Sequence, residues 1–195
     1  MNSLENKMTA NIENIFYSCL YTNFLDNINC SELEKNIFLL KETEESVKIS
    51  NAGGWQSKSF GEKDNKFMST PIDVITQELI PFYTHYGITK KPTLGNYWFN
   101  INEKNNFNFR HGHPFCFFSV VFYVKVPKNS GAIIFHRPDI LEYTIKTDFV
   151  TNANLLNVGF EPKPNLLVAF PSYLEHNVDP SFSEETRISI AFNYL

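Results

Sequence analysis

A chain of 195 residues with 43% hydrophobic and 19% charged residues has the balance of one globular domain and excludes a disordered chain. Its net charge of −4, with no basic stripe, argues against nucleic acid or an anionic membrane as partner. Three scattered cysteines, Cys19, Cys30 and Cys116, exclude a disulfide framework and a Cys-x-x-Cys metal knuckle, so buried free thiols are expected.

In chain order, residues 1–14 carry acids and amides where a signal peptide would carry a basic and then an apolar run. No stretch is apolar enough to span a bilayer, and a cytoplasmic protein is expected. Ser31 and Glu34 form a capping box, after which Leu33, Ile37 and Leu40 recur at helical spacing. The segment Asn51-Ala52-Gly53-Gly54-Trp55-Gln56-Ser57 is too glycine-rich for regular structure, and reads as a loop anchored by Trp55 or as a lid over substrate. Thr70-Pro71 opens a second helix with an apolar face of Ile72, Ile75 and Leu79, which Pro81 should kink or end. His85 follows as a C-terminal helix residue favoured by the dipole.

From Gly95 onward the pattern becomes short strands, expected at residues 96–102, 107–113, 117–126, 132–136, 143–146, 166–170 and 187–194. Turn chemistry separates them at Asn105-Asn106, Lys128-Asn129-Ser130-Gly131 and Pro162-Lys163-Pro164-Asn165. The 19 phenylalanines suit strands facing a packed interior. The expected fold is mainly β, a jelly roll (double-stranded β-helix) with flanking N-terminal helices. It is read as one domain over 1–195, helical to about residue 92 and jelly roll from about 93.

Chemistry concentrates in this second part. His111 and His113 are two apart on an expected strand, so both imidazoles can face one point, although two surface histidines would show the same spacing. His176 lies far away in sequence, where a jelly roll can still bring it to the pair. Three imidazoles suit iron, zinc or copper and leave positions open for other groups. In the last strand Arg187, Ser189, Ala191 and Asn193 share one face, and Ile188, Ile190, Phe192 and Tyr194 share the other. A guanidinium turned into a cavity is costly unless an anion meets it; an exposed edge arginine, or pairing with Glu185, would avoid that cost. His136 reads as substrate-facing or structural.

The ordered set His111-x-His113, His176 and Arg187-x-Ser189 resembles the iron(II)- and 2-oxoglutarate-dependent oxygenases. A small phage-associated group is similar over about residue 15 to the C-terminus, through Gly53-Gly54-Trp55-Gln56-Ser57, Trp98-x-Asn100, His111-x-His113-Pro114, Ser119 through Tyr123, Phe170-Pro171-Ser172 and the ending from Arg187 to Asn193. The resemblance implies iron(II) on His111, His113 and His176, with 2-oxoglutarate as co-substrate. It places the co-substrate's far carboxylate on Arg187 and Ser189, and offers Tyr123 and Asn100 as further contacts. A hydroxylation releasing succinate and CO2 is the implied reaction, in the host cytoplasm if the chain is phage-encoded, and a homo-oligomer is left open. The departure is His113, which stands where the family's usual carboxylate would be. It either ligates as a third imidazole or turns away and leaves room for halide or water; the shared face with His111 favours ligation. The alternatives are a cupin-like three-histidine dioxygenase without 2-oxoglutarate and a non-catalytic binding or virion-associated module.

Overall fold

The computed structural model describes residues 17–139 and 146–195. The chain forms two antiparallel sheets, which its three short N-terminal strands join at their edges. The first sheet has six strands: β1 (Tyr21–Phe24), β9 (Leu166–Pro171), β6 (Phe118–Lys125), β11 (Arg187–Tyr194), β4 (Leu94–Asn102) and β3 (Trp55–Gln56), in that spatial order. The second has five: β2 (Asn51–Ala52), β5 (Phe107–His111), β10 (His176–Val178), β7 (Ile133–His136) and β8 (Asn157–Phe160). This is the expected jelly roll.

Alternation along the strands decides where the core lies. Tyr97, Phe99 and Ile101 of β4, Val120 and Phe122 of β6, and Ile188, Ile190 and Phe192 of β11 all point away from the second sheet and are buried. They are covered by α1 (Cys30–Thr43), α2 (Ser69–Glu78) and α3 (Ile80–His85), through Leu33, Ile37, Ile72, Ile75, Leu79 and Phe82. Fully burying one such side chain contributes about 1.5–3 kcal/mol. The opposite faces of β6 and β9 carry Tyr123, Val168 and Phe170, which pack between the sheets against Ile133 and Phe135 of β7. Among the described residues, no helix is long and apolar enough to cross a membrane.

Several local expectations are corrected. The cap of α1 is Asn29, two residues before Ser31; its side chain accepts the Glu32 N–H at 3.1 Å. Asn, like Ser, caps well, and the Asn29 side chain engages Glu32 three residues on, so the helix starts one half-turn earlier. Thr70 and Pro71 fall inside the first turn of α2, and Pro81 sits in the first turn of α3 after a break at Leu79. The glycine-rich segment is not irregular throughout. Gly53 and Gly54, at φ +69° and +67°, turn the chain from β2 in one sheet to β3 in the other. A Cβ on Gly54 would lie 2.9 Å from the Ile101 carbonyl, so the crossing needs glycine there. The three expected turns form, each around an asparagine at positive φ: Asn105, Asn129 and Asn165. The strand expected at 143–146 falls almost wholly outside the described residues. Cys19, Cys30 and Cys116 are free but only half-buried, because they sit at the margin of the helical layer and in a surface loop.

Candidate active site

The histidines meet because two of them are register partners. His176 opens β10 and pairs with His111, the last residue of β5, on the antiparallel neighbour. His113 lies two residues beyond β5, where its N–H donates to the Ser172 carbonyl at 3.0 Å. The strand 107–113 therefore stops at His111, and His113 projects from the following loop. One potential ligand atom from each of His111, His113 and His176 lies within 4.8 Å of the others. β10 has only three residues, too short for a sequence pattern to reveal.

All three imidazoles engage Nδ1 with an oxygen: His111 with Phe109 O at 2.7 Å, His176 with Leu174 O at 3.1 Å, and His113 with Asn193 Oδ1 at 2.6 Å. Each oxygen accepts, so each Nδ1 carries the proton and each Nε2 keeps its lone pair. Burial holds the rings neutral: it lowers His111, pushes His113 down to about 4 and, helped by the two neighbouring histidines, His176 down to about 3. The Asn193 hydrogen bond opposes that fall at His113 without reversing it. Phe170 and Phe135 pack against His176, at centroid distances of 4.8 and 6.0 Å, and keep that side dry. Three neutral imidazoles, with second nitrogens already bonded, fit a divalent first-row metal.

These rings line a cavity of about 290 Å³ between the sheets. Its other wall is built in rows across β4, β11 and β6. Asn100, Ser189 and Tyr123 are register partners in one row, and Asn102 and Arg187 form the next. Asn193 begins the same face at the histidine end, and the small side chain of Ala191 leaves room between. Gln56 and Trp98 also line the cavity, which contains no aspartate or glutamate among its described lining residues.

Arg187 is only 2% exposed. Its Nη1 donates to the carbonyls of Ser130 and Gly131 at 2.9 and 3.1 Å, while its Nε has no partner among the described residues. Glu185 is exposed and makes no ion pair with it, so neither the edge-arginine reading nor the Glu185 pairing describes this side chain. Burial lowers the Arg187 pKa and raises that of Tyr123 to about 12, each moderated by the other. A buried cation with an unpartnered donor and no counter-charge fits an anion.

The remaining flagged residues lie elsewhere. His136 bonds Asn177 Oδ1 at 2.6 Å, a structural pairing, and His85 ends α3 within 3.4 Å of Cys19 Sγ. Two contributors had gone without a role. Asn193 stands on the polar face already visible in the alternation of the last strand, and the Trp98 ring lies 5.5 Å from His113, tilted by 43°.

A family profile described as "Putative 2OG-Fe(II) oxygenase" matches residues 96–193, the segment that carries the three histidines, Arg187, Ser189, Tyr123 and Asn100. No curated protein matches the sequence. Among solved structures, a prolyl-4-hydroxylase from Pseudomonas putida superposes with TM-score 0.63 at 15% identity, covering 90% of this chain and 91% of that one. The viral collagen prolyl hydroxylase of Paramecium bursaria Chlorella virus-1, in its 2-oxoglutarate complex, gives 0.59 at 13% identity over 89% and 95%. HygX from Streptomyces hygroscopicus, with nickel and 2-oxoglutarate bound, gives 0.63 at 10% identity over 91% and 82%. At these identities the superpositions establish the fold. With the profile matching half the chain, the protein belongs to the 2-oxoglutarate- and iron(II)-dependent oxygenases.

Proposed function

We propose that His111, His113 and His176 hold iron(II) through their Nε2 atoms, and that Arg187 with Ser189 receives the far carboxylate of 2-oxoglutarate. The overall reaction is then substrate C–H plus O2 plus 2-oxoglutarate giving substrate C–OH, succinate and CO2. When bound, the metal and 2-oxoglutarate supply the oxidising chemistry. The chain's own residues bind, orient and exclude water.

The observation that carries this reading is Arg187, buried, lacking a carboxylate partner among the described residues, and lining the same cavity as the three histidines. A guanidinium fork can hold a carboxylate bidentately, and the Ser189 hydroxyl adds one donor. Tyr123 and Asn100 flank Ser189 in the same row, where each can donate to the co-substrate. Neutral at physiological pH, the three imidazoles add no charge to a divalent metal, so dianionic 2-oxoglutarate balances it. The oxygen acceptor at His113 Nδ1 turns its Nε2 toward the other two rings, which favours ligation over the turned-away alternative.

Calorimetric titration of the manganese-loaded protein with 2-oxoglutarate, without oxygen, tests the proposal. One equivalent should bind in the wild type and much less tightly in Arg187→Gln. Failure of the metal-loaded wild type to bind 2-oxoglutarate at millimolar concentration overturns the assignment of Arg187 and Ser189.

A further inference from the structure

The three histidines differ in what holds them. His111 and His176 each donate Nδ1–H to the backbone carbonyl two residues earlier, so the geometry of their own strands orients them. His113 sits on the loop after β5, and its Nδ1 is taken by a side chain of the opposite sheet, Asn193 Oδ1 at 2.6 Å. The other end of that amide is also engaged, with Asn193 Nδ2 donating to Asn96 Oδ1 at 2.8 Å. Asn193 and Asn96 are register partners on β11 and β4, so the amide is held from both sides.

We infer that Asn193 is a positioning residue: it makes the loop histidine His113 a metal ligand by fixing its Nδ1–H tautomer and aiming its Nε2 at the other two rings. This rests on the reading of the three histidines as ligands. An imidazole offers a lone pair to a metal through Nε2 only when the proton sits on Nδ1, and an acceptor at Nδ1 selects that tautomer. The bond to Ser172 is made by the His113 backbone N–H and leaves the ring free to turn; among the described residues the ring's Nδ1 bonds Asn193 alone, so its orientation depends on that amide. The partner is an amide, so it orients the ring without adding charge. A carboxylate at the same place would both orient the imidazole and raise its basicity. Such a partner would return, one shell out, the negative charge that the histidine at position 113 removes from the usual ligand set.

The test measures manganese(II) affinity of the full chain by calorimetry, and the cobalt(II) absorption spectrum, in wild type, Asn193→Ala, Asn193→Asp and His113→Ala. Asn193→Ala should weaken manganese binding about 10- to 100-fold, the usual effect of losing an outer-shell partner, and alter the cobalt bands. Asn193→Asp should bind manganese as tightly as the wild type or more tightly, a rescue that a merely structural amide would not produce. If Asn193→Ala binds like the wild type while His113→Ala binds weakly, the inference is overturned and the ligand reading stands. If His113→Ala also binds like the wild type, the ligand reading of His113 fails and takes the inference with it. Should Asn193→Ala not fold, Asn193→Asp decides alone: affinity at or above wild type supports the inference, and weaker binding overturns it.

Discussion

The two ends of the cavity are finished differently. At the histidine end every Nδ1 has its acceptor within the protein, and only the Nε2 lone pairs are left to face one another. At the arginine end Nη1 of Arg187 donates to two backbone carbonyls, and Nε has no partner among the described residues. One end offers lone pairs to a cation; the other offers N–H groups to an anion. An unpaired buried donor such as Arg187 Nε costs about 1–3 kcal/mol. These residual groups are what the proposed metal and 2-oxoglutarate would complete.

The largest expected effect comes from breaking the histidine end. Replacing His176, buried and paired in register with His111, by alanine should abolish stoichiometric manganese or iron(II) binding in calorimetry. Stoichiometric binding that survives in this variant would remove His176 from the site.

The arginine end should respond separately. Arg187→Gln should weaken 2-oxoglutarate binding by about 2–5 kcal/mol, roughly thirty-fold or more, while metal affinity stays near its wild-type value. In the ligand-free protein, Arg187→Met should leave the melting temperature unchanged or raise it, because an uncompensated buried charge gives way to an apolar chain of similar length. A large fall in ligand-free stability would mean that the Ser130 and Gly131 bonds, and not an awaited anion, explain the burial.

Proton linkage separates the ends again. In the metal-free protein, His113 and His176 are depressed from 6.5 to about 4 and about 3, so the folded state binds fewer protons than the unfolded chain between those values. The stability they confer is complete above about pH 6.5 and is lost as pH falls toward 4, on the order of a few kcal/mol. Urea denaturation of the metal-free protein at pH 7.5 and pH 5 should show this loss, and His113→Asn should reduce it. Equal stability at both values would contradict the burial of neutral rings. Metal affinity should correspondingly hold down to about pH 6, where exposed histidines already begin to protonate.

The smallest effect belongs to Ser189, a neutral donor beside the charged one. Ser189→Ala should cost about 1 kcal/mol of 2-oxoglutarate binding in the same titration. A loss as large as that of Arg187→Gln would shift the anchor of the carboxylate from the guanidinium to the hydroxyl row it shares with Asn100 and Tyr123.

Much of this architecture was legible from residue order, for one reason: strand and helix periodicities are local. The two-residue repeat of β11 separates Ile188, Ile190 and Phe192 from Arg187, Ser189 and Asn193 before any partner strand is known, and the structure keeps that division. The faces of α1 and α2 and the three asparagine turns follow from similarly short-range rules. Tertiary structure decided what depends on partners distant in sequence. It made a three-residue strand at His176, held by β5 and β7 on either side, and split the Gly53-Gly54 turn between two sheets. It also brought Asn193 to His113, 80 residues away in sequence. A hydrogen bond from a loop of one sheet to a strand of the other leaves no period in the sequence, so only the packed molecule brings this pair together.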